Sequence, residues 1–367
     1  MSDDEVRPRP TEVAVEFIEN IGAWIGYLWD PVREFLLEAD NPAQKLVLMV
    51  IAIVLFVVVM GGILLAVDKP KKVPRWVVTS AFAGPALLAM AFGLVYPAIR
   101  TIYTSFFLRN SDEYIGLDNY VTAFTQNEFQ IVLRNTAIWV ILVPILSTFI
   151  GLVYAVVVDR SRFEKIAKAL IFLPMAISMV GAGIIWRFMY EFRDPLRDAN
   201  GNPTTEQTGL INQVLVAVGL DPKQFLLDAP ENTLFLIIVL VWIQAGFAMT
   251  ILAAAIRAIP DDIIEAGKLD GLQGVSMFRY ITVPSIRPAL VVVLTTIAMG
   301  TLKVFDIVRT MTSGNFETSV VANEFYVQSF RAQNAGMGAA LAVILFVLVI
   351  PIVIYNVRQM RISEAIR

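Results

Sequence analysis

Long apolar runs without a charge constrain what this chain can fold into. Residues 46–67 carry no charged side chain, and further apolar stretches follow at 76–107, 135–158, 166–189, 233–256, 286–305 and 337–357. A helix needs about 20 residues, rising 1.5 Å each, to cross a bilayer. Hydrophobic residues make up 57% of the 367 positions and charged residues 17%, whereas soluble domains average about 45–50% and about 25%. The sequence therefore predicts an all-α, polytopic membrane protein with seven spans.

The composition also excludes several kinds of chemistry. The chain has no cysteine and no histidine, which removes thiol nucleophiles, disulfides, imidazole ligation of haem and nearly every zinc site. A net charge of −3 provides no basic field for nucleic acid, so no nucleic-acid partner is expected. Residues 1–10 are acidic and polar, which argues against a cleavable signal peptide.

Basic residues in the short connections predict the orientation in the membrane. Lysine and arginine concentrate in four segments that we expect in the cytoplasm: 68–76, 159–168, 257–287 and the tail 358–367. The alternate segments 190–232 and 307–335 are poor in basic residues and are expected outside. The sequence thus predicts a multi-pass protein of a bacterial or archaeal-type cell membrane, with its carboxyl terminus in the cytoplasm.

The amino-terminal segment leaves two alternatives open. Apolar residues recur at helical spacing over 12–37, with glutamates on another face, so this stretch is an interfacial amphipathic helix or an eighth span. The predicted organisation has four parts: 1–45, an extra span with its basic loop at 46–75, a six-span core at 76–357, and the tail 358–367. The core includes the outward loop 190–232 and a cytoplasmic loop at 257–285.

The loop 257–285 is the most informative segment. Pro260 can open a helix, and Asp261 and Asp262 occupy the first turn, where the helix dipole favours acids. Gly271 and Gly274 then turn the chain back toward the next span. A small helix with an Ala-Gly face, held between two spans, has the form of a docking element. An ordinary interfacial loop helix is the alternative on these physical grounds.

The residue order of this loop resembles a known signature. Glu265-Ala266-Gly267, three residues, Gly271, nine residues, Ile281 and Val283-Pro284 resemble the EAA motif of ABC importer permeases. Gly267 stands where alanine is usual, and Val283 where leucine is usual. Asp270-Gly271 and Phe278 are similar to the carbohydrate-uptake branch. The resemblance covers roughly residues 80–357, and the maltose and α-glucoside permeases are the most similar.

The resemblance implies a type I ABC importer permease fold, with this loop as a coupling helix. Its centre is Glu265, Ala266, Gly267 and Gly271, and we assign Asp270, Phe278 and Pro284 to the same function. The implied partners are a second permease, two ATP-binding subunits, an extracytoplasmic sugar-binding protein and membrane lipid. The implied cargo is a sugar, plausible members being α-glucosides such as maltose or trehalose, and a non-sugar solute is the alternative.

No phosphate-binding loop accompanies this signature. The Gly267-Lys268 pair is followed by Leu269 and lacks the upstream glycine of GxxxxGK[ST]. We therefore expect a non-catalytic chain that holds no cofactor or metal, with ATP and magnesium used by a separate ATPase. A membrane-embedded enzyme would have to rely on carboxylates alone, since histidine and a GxSxG motif are missing. A purely structural subunit would not need the EAA loop.

Polar and aromatic residues within the spans are candidates for the substrate pathway. Gln244 lies between Trp242 and Phe247, and an amide can exchange hydrogen bonds with hydroxyls while aromatic rings cover sugar faces. Polar contact between helices is the equally weighted alternative. Thr301, Lys303 and Asp306 form the second candidate group. Lys303 and Asp306 are expected to pair at i, i+3 on one helix, either in the pathway or as an interfacial salt bridge.

Overall fold

The described part of the chain is helical. The computed structural model describes residues 42–68, 75–111, 113–158, 162, 164–194 and 207–365. Within these residues the β-structure is limited to an isolated bridge between Phe107 and Tyr114. The amino-terminal stretch 12–37 lies outside the described residues, so its two alternatives stay predictions.

The described residues up to Val95 form one unit. It contains α1 (Pro42–Asp68), α2 (Arg75–Met90) and a π-helical turn at Ala91–Val95. In the most apolar part of α1, Lys45–Gly62, none of the side chains whose burial is described is buried. A helix that is apolar on every side suits contact with lipid.

The second unit begins at Tyr96 with α3 (Tyr96–Thr104). Pro97 lies at the start of α3 and directly follows the π-helical turn. Proline lacks the amide hydrogen, and its ring conflicts with the carbonyl four residues earlier, so a wider turn accommodates it. The helical register changes at this turn, while Pro85 lies within α2.

Thirteen further helices complete the described part of the second unit. They are α4 (Asp118–Thr125), α5 (Asn127–Val158), α6 (Glu164–Phe172), α7 (Met179–Met189), α8 (Leu210–Ala217), α9 (Glu231–Arg257), α10 (Asp261–Leu269), α11 (Gly274–Met277), α12 (Val283–Ser285), α13 (Arg287–Thr301), α14 (Asp306–Met311), α15 (Val321–Tyr326) and α16 (Ala335–Ala365).

Close packing of α5 and α9 forms the centre of the hydrophobic core. A Cβ atom on Gly151 would lie 2.6 Å from the Ala248 Cβ and from the Met249 backbone nitrogen. Likewise, a Cβ on Gly246 would overlap the Ile171 carbonyl oxygen. Glycine and alanine at these points allow the helix backbones to approach closely, as is usual between helices in membranes. The largest fully buried side chains include Trp139, Leu236, Leu240, Met249 and Leu252.

Five of the seven predicted spans are confirmed as continuous helical segments long and apolar enough to cross a membrane. These are Lys45–Gly62, Phe82–Thr104, Asn127–Val158, Glu231–Arg257 and Ala335–Gln359. The other two predicted spans, 166–189 and 286–305, each correspond to a bent helix pair. Counting each pair as one span gives seven in the described residues.

The first bent pair turns by 102° between Ala176 and Met179. Pro174 lies in a short 3-10 turn, Leu173–Ala176, and Ile177 is extended. The Ser178 hydroxyl then accepts a hydrogen bond from the Gly181 amide at 3.0 Å and caps α7. A proline followed by a new N-cap ends one helix and starts another.

The second bent pair turns by 70° at Ile286. Pro288 lies in the first turn of α13, where a missing amide hydrogen costs nothing. The helix ends at Thr301, so the predicted end of this span at 305 is wrong by four residues.

An irregular turn at 312–320 is held by buried side chains from other helices. Ser313, Phe316 and Glu317 have φ between 57° and 59°, in the left-handed region. The Asn135 amide donates to the carbonyls of Glu317 at 2.6 Å and of Ser319 at 3.1 Å. These contacts satisfy backbone groups that no helix satisfies.

Two more side chains hold the same turn. The Thr136 hydroxyl accepts a hydrogen bond from the Val321 amide at 2.9 Å. The fully buried Asn232 donates from its amide to the Phe316 carbonyl at 2.7 Å. Side chains near the starts of α5 and α9 therefore fix the backbone of the 312–320 turn.

Asn135→Ala should destabilise the protein by about 1–3 kcal/mol, because two buried carbonyls lose their donor. Asn315→Ala is the matched control, since Asn315 is an exposed asparagine of the same turn. This substitution should change the free energy of unfolding by no more than about 0.5 kcal/mol. Thermal unfolding of the detergent-purified protein checks both variants. Equal melting temperatures for the two variants would contradict the assigned contact.

Candidate functional site

The loop 257–285 begins with the helix that its sequence predicts. Pro260 precedes α10, and Asp261 and Asp262 occupy its first turn while Lys268 lies in its last. Acids near the amino terminus of a helix and bases near its carboxyl terminus both stabilise the helix dipole. The loop therefore carries a short, well-terminated helix between the spans α9 and α13.

Two glycines turn the chain after α10, as predicted. Gly271 has φ +82° and Gly274 has φ +52°, a region that side chains with a Cβ adopt at a cost. The backbone N–H of Gln273 donates to the Ser276 hydroxyl at 3.0 Å, at the start of α11. The glycines thus form the turn of the loop. Within the described residues, no contact atom lies within 4 Å of the position that a Cβ on Gly271 would take.

Gly267 lies on the inner side of the loop. It is buried, and a Cβ there would lie 3.2 Å from the Met277 Cε and 3.3 Å from the Ile281 Cγ1. Its small size therefore allows α10 to pack on the following segment of the same chain. Its function in coupling stays a prediction.

The outer surface of the loop combines charged and large apolar side chains. Leu269 is 90% exposed and Val275 is 81% exposed. Glu265, Ala266 and Asp270 are also exposed. The exposed side of the loop is therefore mixed in character, with apolar and charged side chains together. Of the remaining predicted residues of this loop, Phe278 is half-buried and Pro284 is exposed.

Trp242, the first pathway candidate, lies in a group of aromatic rings and beside a cavity. Its ring meets Trp186 edge to face at 5.7 Å. A cavity of about 320 Å³ is lined by Trp242, Tyr154, Pro174 and other residues of α5, α6 and α9. The indole nitrogen of Trp186 is buried without a hydrogen-bond partner in the described residues, so a donor remains available close to Trp242.

The aromatic group continues from Trp186 to the start of α9. The ring centroid of Tyr190 lies 5.2 Å from that of Trp186, 5.2 Å from that of Phe225 and 5.8 Å from that of Phe235. Burial raises the pKa of the Tyr190 hydroxyl, which donates to the Phe235 carbonyl at 3.2 Å. These rings fix the start of α9 against the end of α7.

Gln244 and Phe247 lie on α9 at half-buried positions. Phe247 packs against the hydrophobic core. Gln244 makes no hydrogen bond to any described residue, so the structure shows no helix-to-helix contact through its amide. Its role in the pathway stays a prediction.

Thr301, Lys303 and Asp306 do not lie on one helix. Thr301 is fully buried at the end of α13, and its hydroxyl donates to the Ile297 carbonyl at 2.8 Å. Residues 302–305 break the helix, and Asp306 starts α14. The expected i, i+3 pairing of Lys303 and Asp306 is therefore wrong, and among the described ion pairs neither side chain takes part.

Sequence reasoning did not identify an aromatic cluster beside this break. The ring centroids of Phe305 and Tyr326 are 5.2 Å apart, and those of Tyr326 and Phe330 are 5.4 Å apart. The Arg309 guanidinium lies over the Tyr326 ring at 5.1 Å. The i, i+4 spacing of Tyr326 and Phe330 was the available signal, but their contact with Phe305 depends on the break.

The described residues contain no group of three or more acidic side chains that could hold a metal ion. What the geometry does combine is a set of helices long and apolar enough to span a membrane, two of them bent pairs, and a loop with exposed apolar and charged side chains. A bundle of this kind defines a polytopic helical membrane protein.

Comparison with known proteins specifies this class. The chain belongs to the family described as the binding-protein-dependent transport system inner membrane component, whose model matches residues 132–360. It is thus a permease subunit of an ABC transporter, and the family is not catalytic. The resemblance inferred from the EAA-like motif is confirmed.

Two relatives illustrate the family membership. The chain is 42% identical over 286 residues to the osmoprotective compounds uptake permease protein GgtC of Synechocystis sp., covering 78% of this chain and 100% of that protein. It is 44% identical over 279 residues to the alpha-glucoside transport system permease protein AglF of Rhizobium meliloti, covering 76% and 81%.

The fold matches a solved transporter. A bacterial ABC transporter involved in the import of the acidic polysaccharide alginate aligns with a TM-score of 0.65 and 24% identity, covering 79% of this chain and 97% of that chain. The likeness supports the fold alone, and it confirms the predicted fold of a type I ABC importer permease.

Gly267→Leu should separate α10 from Met277 and Ile281, because the added side chain has no space there. Hydrogen exchange of the amides between 261 and 285 should become faster. Ala266→Leu is the matched control, since Ala266 is the exposed neighbour on the same helix. Unchanged exchange in Gly267→Leu would show that Gly267 is not packed within the loop.

Proposed function

We propose that this permease forms half of the translocation pathway for a carbohydrate, an α-glucoside such as maltose or trehalose, and couples to a separate ATPase through the loop 257–285. The names of the relatives support the cargo. Besides AglF, the trehalose/maltose transport system permease protein MalF of Thermococcus litoralis is 26% identical over 278 residues, covering 72% of this chain.

The observation that carries the coupling proposal is the exposed surface of the loop. Leu269 and Val275 flank the glycine turn and lie almost entirely in solvent. Contact with water leaves this apolar surface at a cost in free energy, and a partner that covers it would remove that cost. Exposed Glu265 and the acids Asp261 and Asp262 lie on the same helix and suit a basic or polar rim of the partner cleft.

Packing inside the loop supports transmission of movement to the membrane. Gly267 brings α10 against Met277 and Ile281, so the helix and the segment that leads to α13 behave as one packed piece. A 70° bend at Ile286 joins this piece to α13. A displacement of α10 by a partner would therefore shift the cytoplasmic end of α13. In this proposal Asp270 and Phe278 complete the contact surface, and Pro284 ends it.

The missing phosphate-binding loop supports the division of labour between subunits. Without a GxxxxGK[ST] sequence, this chain has no cradle for nucleotide phosphates. We assign ATP and magnesium to two ATP-binding subunits, and sugar capture to an extracytoplasmic binding protein. A second permease supplies the other half of the pathway. A bacterial alginate ABC transporter of similar fold has been solved in complex with a periplasmic protein that holds an alginate pentasaccharide.

The basic residues of the connections support the orientation and organisation. We place the loop 257–285 and the carboxyl-terminal tail in the cytoplasm, and 190–232 and 307–335 outside, with the protein in the inner or plasma membrane. We keep the division into 1–45, 46–75, 76–357 and 358–367. Contact with lipid covers the apolar outer sides of the spans.

The pathway is proposed to pass the cavity beside Trp242 and the break after α13. Within the described residues the indole N–H of Trp186 and the amide of Gln244 have no hydrogen-bond partner, and both groups can bond sugar hydroxyls. Phe247 supplies an apolar wall on the same helix. Thr301, Lys303 and Asp306 supply polar groups at the broken end of α13, where Leu302 and Val304 are buried in protein.

Leu269→Asp should abolish transport while leaving the fold intact, because a charge replaces an exposed leucine in a contact that requires desolvation. The measurement is uptake of radiolabelled maltose and trehalose by proteoliposomes that contain the full complex and its binding protein. The amount of ATPase subunit that copurifies is recorded in parallel. Uptake and copurification should both fall by at least about tenfold.

Leu220→Asp is the matched control, since Leu220 is a 58% exposed leucine on the segment we place outside. It should leave copurification unchanged. Wild-type uptake together with wild-type copurification in Leu269→Asp would refute coupling through this loop. Lack of sugar uptake by the wild-type complex would refute the carbohydrate assignment separately.

A further inference from the structure

We propose that Phe305, Tyr326 and Phe330, with Arg309, form a sugar-stacking platform at the broken end of α13. This set is called the aromatic platform below. The proposal rests on the proposed function, because it assigns to the transported sugar a contact surface that includes residues outside the predicted pathway.

The three rings form a continuous row. The centroids of Phe305 and Tyr326 lie 5.2 Å apart with the planes tilted by 55°, and those of Tyr326 and Phe330 lie 5.4 Å apart with a tilt of 40°. Phe325 supports Phe330 edge to face at 6.3 Å. Aromatic contacts at these separations are favourable and fix the rings relative to one another.

One ring of the row is open. Phe330 is 62% exposed, while Phe305 and Tyr326 are half-buried. The guanidinium of Arg309 lies over Tyr326 with its carbon 5.1 Å from the centroid, so part of that ring is already covered. The exposed ring of Phe330, beside a held arginine, offers an apolar surface next to hydrogen-bond donors.

Charged residues flank Phe305 in the sequence. Lys303 is exposed and Asp306 is half-buried, and within the described residues neither forms an ion pair. Of the charged side chains, Arg309 is the one that lies over a ring of the row, that of Tyr326. A pyranose ring fits this combination, because its C–H faces suit aromatic rings and its hydroxyl rim suits charged donors and acceptors.

The backbone that carries Phe330 is held in a defined position. Residues Val327–Arg331 form a π-helical turn, a feature found frequently at functional sites. The backbone N–H of Ala332 donates to the backbone carbonyl of Val327 at 2.8 Å, and the backbone N–H of Asn334 donates to the backbone carbonyl of Gln328 at 2.8 Å. A Cβ on Gly338 would overlap the Ser329 hydroxyl oxygen, so α16 packs closely against this turn.

The open part of the row limits the contact to one sugar unit. Phe330 is the exposed ring, while Phe305 and Tyr326 are half-buried behind it. We therefore assign to Phe330 the stacking contact with one pyranose ring of the cargo.

The test separates a flat ring from a merely apolar side chain at position 330. Phe330→Leu keeps apolar volume but removes the ring, while Phe330→Tyr keeps the ring. Phe346→Leu is the matched control, because Phe346 is a 60% exposed phenylalanine on α16 outside the platform. Each variant is reconstituted as the full complex, and radiolabelled maltose taken up per ATP hydrolysed is measured at saturating binding protein.

Phe330→Leu should lower the sugar transported per ATP about three- to tenfold, the range that one aromatic contact supports. Phe330→Tyr and Phe346→Leu should retain the wild-type ratio. Stimulation of ATP hydrolysis by the loaded binding protein should not change in any variant.

Three results would overturn the platform while leaving the proposed function in place. The first is an unchanged ratio in Phe330→Leu. The second is reduced copurification of the second permease, which would make Phe330 a subunit contact. The third is a loss of ATPase stimulation, which would make it part of the docking surface for the binding protein. Absence of sugar uptake by the wild-type complex would overturn the proposed function and the platform together.

Discussion

Every backbone N–H and C=O group within a bilayer needs a partner in the protein, and the arrangement of this permease depends on that requirement. Helices satisfy it along most of the described chain. Where the helices break, side chains take over: Ser178 caps α7 after the 102° bend. Irregular backbone at membrane depth is tolerated only where it is buried in protein or lines a cavity. The 312–320 turn, in the segment that we place outside, is held in the same way by Asn135, which bonds two of its carbonyls.

Two irregular segments lie beside residues that we assign to sugar passage. The 102° bend lies beside the cavity lined by Trp242 and Pro174, and residues 302–305 separate Thr301 from Asp306. Because the chain changes direction where a helix is broken, charged residues there, such as Lys303, can lie away from lipid. The loop 257–285 lies at the other end of α13, so one bent segment connects the proposed ATPase contact with the proposed pathway.

The sequence predicted the features that depend on local chemistry. Uniform hydropathy located the spans at 46–67 and 233–256, and Pro260 with Gly271 located the ends of α10. The features that depend on distant contacts were not predictable. Hydropathy over 166–189 is the same for a straight and for a bent helix, and the contact of Asn135 with Glu317 joins residues 182 positions apart. Gly267 fits both an internal and an external contact by sequence, and only the positions of Met277 and Ile281 decide between them.

The sidedness of two exposed leucines tests the central claim most directly, because import and coupling both require the loop 257–285 on the ATPase side. The natural chain has no cysteine, so Leu269→Cys and Leu220→Cys each provide one reactive thiol. In sealed, right-side-out vesicles an impermeant maleimide should label position 220 at once and position 269 only after permeabilisation. Labelling of position 269 before permeabilisation would contradict the account.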